Sequence, residues 1–139
     1  MTKENNEGAA EFAARMRRRK EILDEVGGAI GADEVALILK LPVRAVIDLA
    51  TKGRLLALFP PDHATYEFPA FQFDRRRGAL LAGMEEVLKE LSAVPEINNW
   101  AKCQFLLSRR HSLRDQTPLA LLRRGKIARV VALAGAYAS

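Results

Sequence analysis

Apolar residues in this chain recur at helical spacing, and glycine or proline interrupts them before any run grows long. Between residues 83 and 91 the pattern is plainest: Met84, Val87, Leu88 and Leu91 fall at i, i+3, i+4 and i+7, with Glu85, Glu86, Lys89 and Glu90 on the other side. Further breaks stand at Gly27-Gly28, Pro42, Gly53, Pro60-Pro61, Pro95, Pro118 and Gly125. A chain cut up in this way builds its core from several short helices. At 139 residues it has room for one compact domain or for two small helical modules sharing a core.

Residues 1–8 are polar and aperiodic and read as a disordered tail. A helix follows from about Ala9 to Val26, with Phe12, Met16, Leu23 and Val26 near one face. Its basic cluster, Arg15 and Arg17 to Lys20, is followed at once by Glu21, Asp24 and Glu25, which favours a solvated face over a nucleic-acid arm. The segment 32–53 reads as two short helices joined by a tight turn. Val35, Ala36 and Leu39 line the first, Val46 and Leu49 the second, and Leu41 is wedged between. That spacing resembles a helix-turn-helix, with the small Ala36 allowing a close crossing. Two positions depart from the pattern: Lys40 stands where glycine is usual, so it must take a left-handed conformation, and Pro42 stands where a serine cap is usual. Arg44 is the one long donor on the second helix, and Asp48 on the same helix repels phosphates.

Arg54 to Phe59 and Thr65 to Phe68 are candidate strands around Pro60-Pro-Asp-His-Ala64, forming a small hairpin or wing with His63 as a polar loop residue. Lys52 and Arg54 stand at its base, where winged folds often touch phosphates; ordinary solvated charge is an equal alternative. Phe68, Phe71 and Phe73 are expected to pin one module to the next, and Asp74-Arg-Arg-Arg-Gly78 to be a charged connector. Asn98 or Asn99 caps a helix that carries Trp100, Cys103, Phe105, Leu106 and Leu107.

Chemistry-bearing residues are sparse. One cysteine excludes an internal disulfide, and Cys103 with His63 and His111 is too small a set for an all-nitrogen/sulfur zinc site. Cys103 reads as a packing residue, and His111 has no Asp or Asn placed to orient it. No nucleophile with its base, metal set or glycine-rich phosphate loop is found, so a non-enzyme needing no cofactor or metal is expected. The absence of a long apolar run and of a secretion-signal pattern predicts a cytoplasmic protein with no membrane association.

Charge is informative when divided along the chain. Residues 92–139 carry 8 basic side chains (Lys102, Arg109, Arg110, Arg114, Arg123, Arg124, Lys126, Arg129) against 2 acidic ones, Glu96 and Asp115. The whole formal excess of +5 therefore sits in the last third. There Thr117 is a natural N-cap and Pro118 a natural first helical residue, so a short helix should end at Gly125. Ile127, Val130, Val131, Ala134 and Tyr137 then form the stripe of a final helix. Local physics accounts for the Thr, Pro and Gly but not for so many arginines without acids.

Trp100 with Phe105-Leu-Leu107, then Leu113, then Thr117-Pro-Leu-Ala-Leu-Leu-Arg-Arg-Gly125, then Val130 to Tyr137, resembles the C-terminal toxin-binding domain of Xre/MbcA/ParS-type antitoxins. The likeness extends to Pro69-Ala-Phe-Gln-Phe73 and Leu81-Ala-Gly-Met-Glu-Glu-Val-Leu88, covering roughly 68–139. A glycine often found two residues before the Thr-Pro is replaced by Asp115. The resemblance implies a small dimerising helical antitoxin that occludes a RES-domain, NAD-consuming toxin. It also implies an N-terminal helix-turn-helix that represses its own operon. On that reading Arg114, Arg123, Arg124 and Arg129 make polar contacts with the toxin, and Tyr137 with the chain end inserts toward its pocket. Arg44, Lys52 and Arg54 would serve operator DNA.

The expected architecture is therefore mainly α: a small winged helix-turn-helix-like module with a short β-hairpin over residues 9–67, and a C-terminal helical antitoxin-like bundle over 68–139. The alternative is a stand-alone helix-turn-helix regulator whose C-terminal half serves dimerisation.

Overall fold

A computed structural model describes residues 3–58 and 65–139, with side chains from residue 8 onward; Phe59 to Ala64, including His63 and the expected loop, lie outside the described residues. The fold is mainly helical, with two small antiparallel sheets of two strands each. Helices α1 (Lys3–Asp24), α2 (Ala32–Leu39) and α3 (Val43–Thr51) precede α4 (Met84–Ser92), α5 (Asn99–Leu107), α6 (Pro118–Arg123) and α7 (Ile127–Ala138). Strand β1 (Ala29–Ile30) pairs with β2 (Phe68–Pro69), and β3 (Phe73–Asp74) with β4 (Ala79–Leu80).

The first helix begins at Lys3, inside the segment expected to be a tail. Ala9 and Ala10 are strong helix formers, so local propensity favours the helix there. The expected hairpin is also altered. Within the described residues it is reduced to one antiparallel bridge, Leu58 to Glu67, closed by backbone hydrogen bonds of 2.7 and 2.8 Å. Phe68 goes on to pair with Ile30 instead. Asp74 to Gly78, expected as a connector, is the turn of a second hairpin, between β3 and β4. Asp74 makes that turn by accepting from the Arg76 and Arg77 amides at 3.1 and 3.3 Å, and Gly78 takes a φ of +64°.

Two apolar cores hold the chain. One gathers Val35 and Val46 from α2 and α3 with Leu55, Ala57, Phe68 and Phe73. The other gathers α4 to α7 with Leu23, Leu56 and Phe71. The extended segment 55–57 runs between them: its alternating side chains send Leu55 and Ala57 one way and Leu56 the other. The phenylalanines divide likewise, so both cores draw on residues from each side of the 67/68 position. Gln72, completely buried, ties this divider down. Its amide oxygen accepts from the Leu56 N–H at 2.8 Å, and its amide nitrogen donates to the Leu56 and Pro69 carbonyls at 2.9 and 3.0 Å.

In the larger core the stripe Met84, Val87, Leu88 and Leu91 of α4 is buried with Val130 and Ala134 of α7. Their approach is close enough that a Cβ on Gly83 would lie 2.8 Å from Ile127 and 2.9 Å from Leu122. The capping residues act where expected. The Asn98 side chain accepts from the Ala101 N–H at 2.8 Å, and the Thr117 hydroxyl accepts from the Ala120 N–H at 3.1 Å. No described helix is long and apolar enough to cross a membrane.

Candidate interaction surfaces

Helices α2 and α3 meet at a tight corner. Lys40 adopts the left-handed conformation its position requires, with φ 57° and ψ 46°, and its N–H donates to the Ala36 carbonyl. Pro42 takes the N-cap position of α3, contributing the carbonyl that accepts from the Ala45 and Val46 amides. Val35 and Val46 fill the crossing, both fully buried. This leaves Leu37, Leu41, Val43, Arg44 and Asp48 facing outward.

The three cations expected at this surface differ in their surroundings. Arg44 is exposed on α3 with no ion pair among the described residues. Lys52 reaches Asp48 one turn back at 2.9 Å, and Arg54 reaches Glu85 at the start of α4 at 2.5 Å. Both pairs are more than half exposed, so solvent screening makes them weak and their cations exchangeable.

The β3–β4 hairpin adds cations that the sequence pattern did not single out for binding. Arg75 pairs with Glu34 of α2 at 2.7 Å, and the backbone at Gly78 lies so close to α2 that a Cβ there would be 3.1 Å from the Ile38 carbonyl. The turn is thereby pinned beside the α2–α3 corner. Arg76 and Arg77, at its tip, are exposed and unpaired among the described residues. Arg77 and Arg54 share a cleft of about 540 Å3 with Leu41, Leu49 and Glu86.

The second surface surrounds the loop between α5 and α6. The Arg110 N–H donates to the Gln116 carbonyl at 3.1 Å, and the Arg110 carbonyl accepts from the Asp115 N–H at 2.9 Å, closing the loop on itself. Arg114 and Asp115 at its tip both take left-handed conformations, with φ of 56° and 63°. Asp115 thus occupies a conformation that glycine adopts freely and that aspartate tolerates better than most residues.

Three arginines brace this loop. Arg109 donates to the Asp115 carbonyl at 3.2 Å, Arg124 to the Gln116 side chain at 2.9 Å, and Arg129 to the Ser112 carbonyl at 3.2 Å. Arg114, Arg123 and Lys126 are exposed and unpaired among the described residues. Of the residues expected to meet a partner, Arg114, Arg124 and Arg129 therefore converge on one loop. Arg123 sits apart, lining a small cleft with Ile22 of α1 and Glu25 just beyond its end.

Tyr137 is 44% exposed at the end of α7, and its ring packs 5.1 Å from that of Phe105. Arg110, which sequence reasoning counted only as part of the charge excess, sits over both rings at 4.7 and 5.5 Å.

Neither surface contains an activated nucleophile. Cys103 lies fully buried in the larger core, and burial pushes its thiol up to about 12 despite the opposing effect of Arg19 and Lys102. Lys102 is itself held below the usual lysine value by burial, its ammonium donating to the Ser92 hydroxyl at 2.9 Å.

Comparison with known proteins gives one informative likeness. No family model and no curated protein matches the sequence. The NMR structure of Rv2175c is similar in fold, with a TM-score of 0.66, 20% identity, and coverage of 80% of this chain and 81% of that one. At that identity the likeness concerns the fold alone.

Proposed function

We propose that this chain is an antitoxin-like binding protein of the cytoplasm. Its C-terminal half, an antitoxin-like bundle, covers a RES-domain, NAD-consuming toxin. Its α2–α3 corner acts as a helix-turn-helix, with the β3–β4 hairpin as wing, on the operator of its own operon. The protein works as a homodimer and by occlusion, which needs no catalytic group.

The observation that carries this reading is the C-terminal surface. Trp100, Phe105 to Leu107, Leu113, Thr117 to Gly125 and Val130 to Tyr137, the residues of the resemblance, fall within one continuous packed body. Its rim presents Arg114, Arg123, Arg124 and Arg129 with Asp115 as the nearest acid in sequence. Such a rim suits an acidic partner surface, where it steers association more than it adds net affinity. Arg124 and Arg129 already brace the loop, so they hold its shape in the free protein; Arg114 and Arg123 are the cations free to engage.

The test is the association rate with a RES-domain protein co-purified with this chain from native lysate, alongside inhibition of its NAD consumption. R114E/R123E, at the two cations that hold no loop contact, should slow association by about tenfold or more at low salt while leaving the fold intact. Unchanged kinetics would remove the role assigned to this rim.

A second reading, the stand-alone DNA-binding regulator, is favoured by Arg76 and Arg77 beside the α2–α3 corner. It expects steeply salt-dependent DNA binding and no toxin partner.

A further inference from the structure

We infer that the guanidinium of Arg110 is a preformed receptor for a carboxylate carried by a protein partner. The inference rests on the reading of the C-terminal face as the partner-binding surface, and names the site within it.

The backbone of Arg110 is fixed before any ligand arrives. Its N–H donates to Gln116, and its carbonyl accepts from both Leu113 and Asp115 at 2.9 Å. The side chain is fixed as well. Its guanidinium carbon lies 4.7 Å from the Phe105 ring centre and 5.5 Å from that of Tyr137, while the rings are 5.1 Å apart and tilted by 50°. The cation is seated on the notch between two aromatic faces, held there by their electron-rich surfaces.

Two features together set it apart: unlike the exposed, unpaired Arg114 and Arg123 it is seated on two rings, and unlike the other arginines held in place it has no polar partner. Arg54 and Arg75 meet glutamates, and Arg109, Arg124 and Arg129 donate to oxygens of the loop. The Arg110 side chain has no hydrogen bond or ion pair among the described residues, and its Nε is shielded from solvent with no acceptor. The rings and their surroundings close off Nε in this seating; the two terminal nitrogens of the fork are also unpartnered but are not shielded in this way, so they are the donors an incoming ligand meets.

The chemistry selects the ligand. A guanidinium with one face on aromatic rings keeps its planar fork for bidentate recognition, which matches a carboxylate. The adjoining Tyr137 ring offers an apolar wall for the chain that carries the carboxylate. The neighbouring cations Arg109 and Arg129 spend donors on loop carbonyls, so the site is not the multiple-cation cluster that a phosphate backbone favours.

The test uses the intact 15N-labelled chain and follows the arginine Nε–Hε and loop backbone amide signals during titration with sodium acetate, balanced with sodium chloride to constant ionic strength. Arg110 should shift saturably and several-fold more than Arg114 or Arg123. Read through the loop backbone amides of Asp115 and Gln116, R110K, which keeps charge without the fork, should weaken binding several-fold; R110M, which keeps the packing, should abolish it with the remaining spectrum unchanged. A uniform, unsaturable drift of all arginines would overturn the site. Tighter binding of inorganic phosphate than of acetate would overturn the carboxylate assignment. Because no toxin is present, this result separates from the functional reading. Acetate binding without toxin capture retires the antitoxin role alone, and toxin capture without acetate binding retires the Arg110 site alone.

Discussion

Replacing Gln72 by methionine keeps the length of a fully buried side chain and removes its polar head. Gln72 makes three hydrogen bonds of 2.8 to 3.0 Å to backbone groups of Leu56 and Pro69. The substitution strands the Leu56 N–H at a cost of about 2 kcal/mol, and leaves the Leu56 and Pro69 carbonyls short of a donor at roughly 0.5–1 kcal/mol each. Burying the added apolar atoms returns a fraction of this. The expected loss is about 3 kcal/mol, a large share of the 5–15 kcal/mol typical of a domain. In a chain of this size that lowers Tm by about 10 °C. Q72E should cost at least as much, because a carboxylate there would face two carbonyls. Urea denaturation followed by circular dichroism measures both variants. A Q72M protein within about 1 kcal/mol of wild type would refute the idea that this side chain fastens the divider between the two cores.

G83A should cost about 2–4 kcal/mol by the same assay, combining left-handed strain at φ +88° with a Cβ driven against Ile127 and Leu122; a neutral substitution would mean that α4 and α7 do not approach as described. T117A should cost about 1 kcal/mol through loss of the cap, and T117S should recover most of it. Cys103 should resist thiol reagents in the folded protein. Its thiol is raised from 9.0 to about 12, so above pH 9 the unfolded chain loses a proton that the folded chain keeps. Stability should therefore fall as pH rises from 9 toward 12, more steeply than in C103A; parallel profiles would contradict the assignment. R76A/R77A should reduce the slope of log affinity for duplex DNA against log salt by about 1.8, two phosphate contacts at roughly 0.9 each. An unchanged slope would take the hairpin out of the interface.

Local signals in the sequence foretold much of this molecule. The caps at Asn98 and Thr117, the stop at Gly125 and the stripe of α4 are each set by residues within a turn of one another, which is why they were readable. Lys40 was legible for the same reason: the spacing of two short helices forced a left-handed residue, and the chain offered no glycine there. What escaped depends on contacts distant in sequence. Asp74 to Gly78 looked like a charged connector because its flanking strands are only two residues long and carry no alternation to detect. Phe68 was assigned to one hairpin but pairs with Ile30, a partner some forty positions earlier that sequence spacing does not reveal. Gln72 read as one polar letter among phenylalanines, and its burial follows from the backbone of Leu56. Arg110 was lost among the other arginines, since only the approach of Phe105 and Tyr137 sets it apart. The paired cations Lys52 and Arg54 show the converse: their type was legible, while the acid at position 85 that meets Arg54 was not.

The most direct test of the central claim is affinity capture of the tagged protein from a nuclease-treated native lysate, with bound proteins identified by mass spectrometry. The account predicts a stoichiometric RES-domain protein whose NAD consumption is suppressed in the complex and whose capture weakens with R114E/R123E. Capture of no protein, together with salt-dependent binding to DNA upstream of the gene, would contradict it and leave the stand-alone regulator in its place.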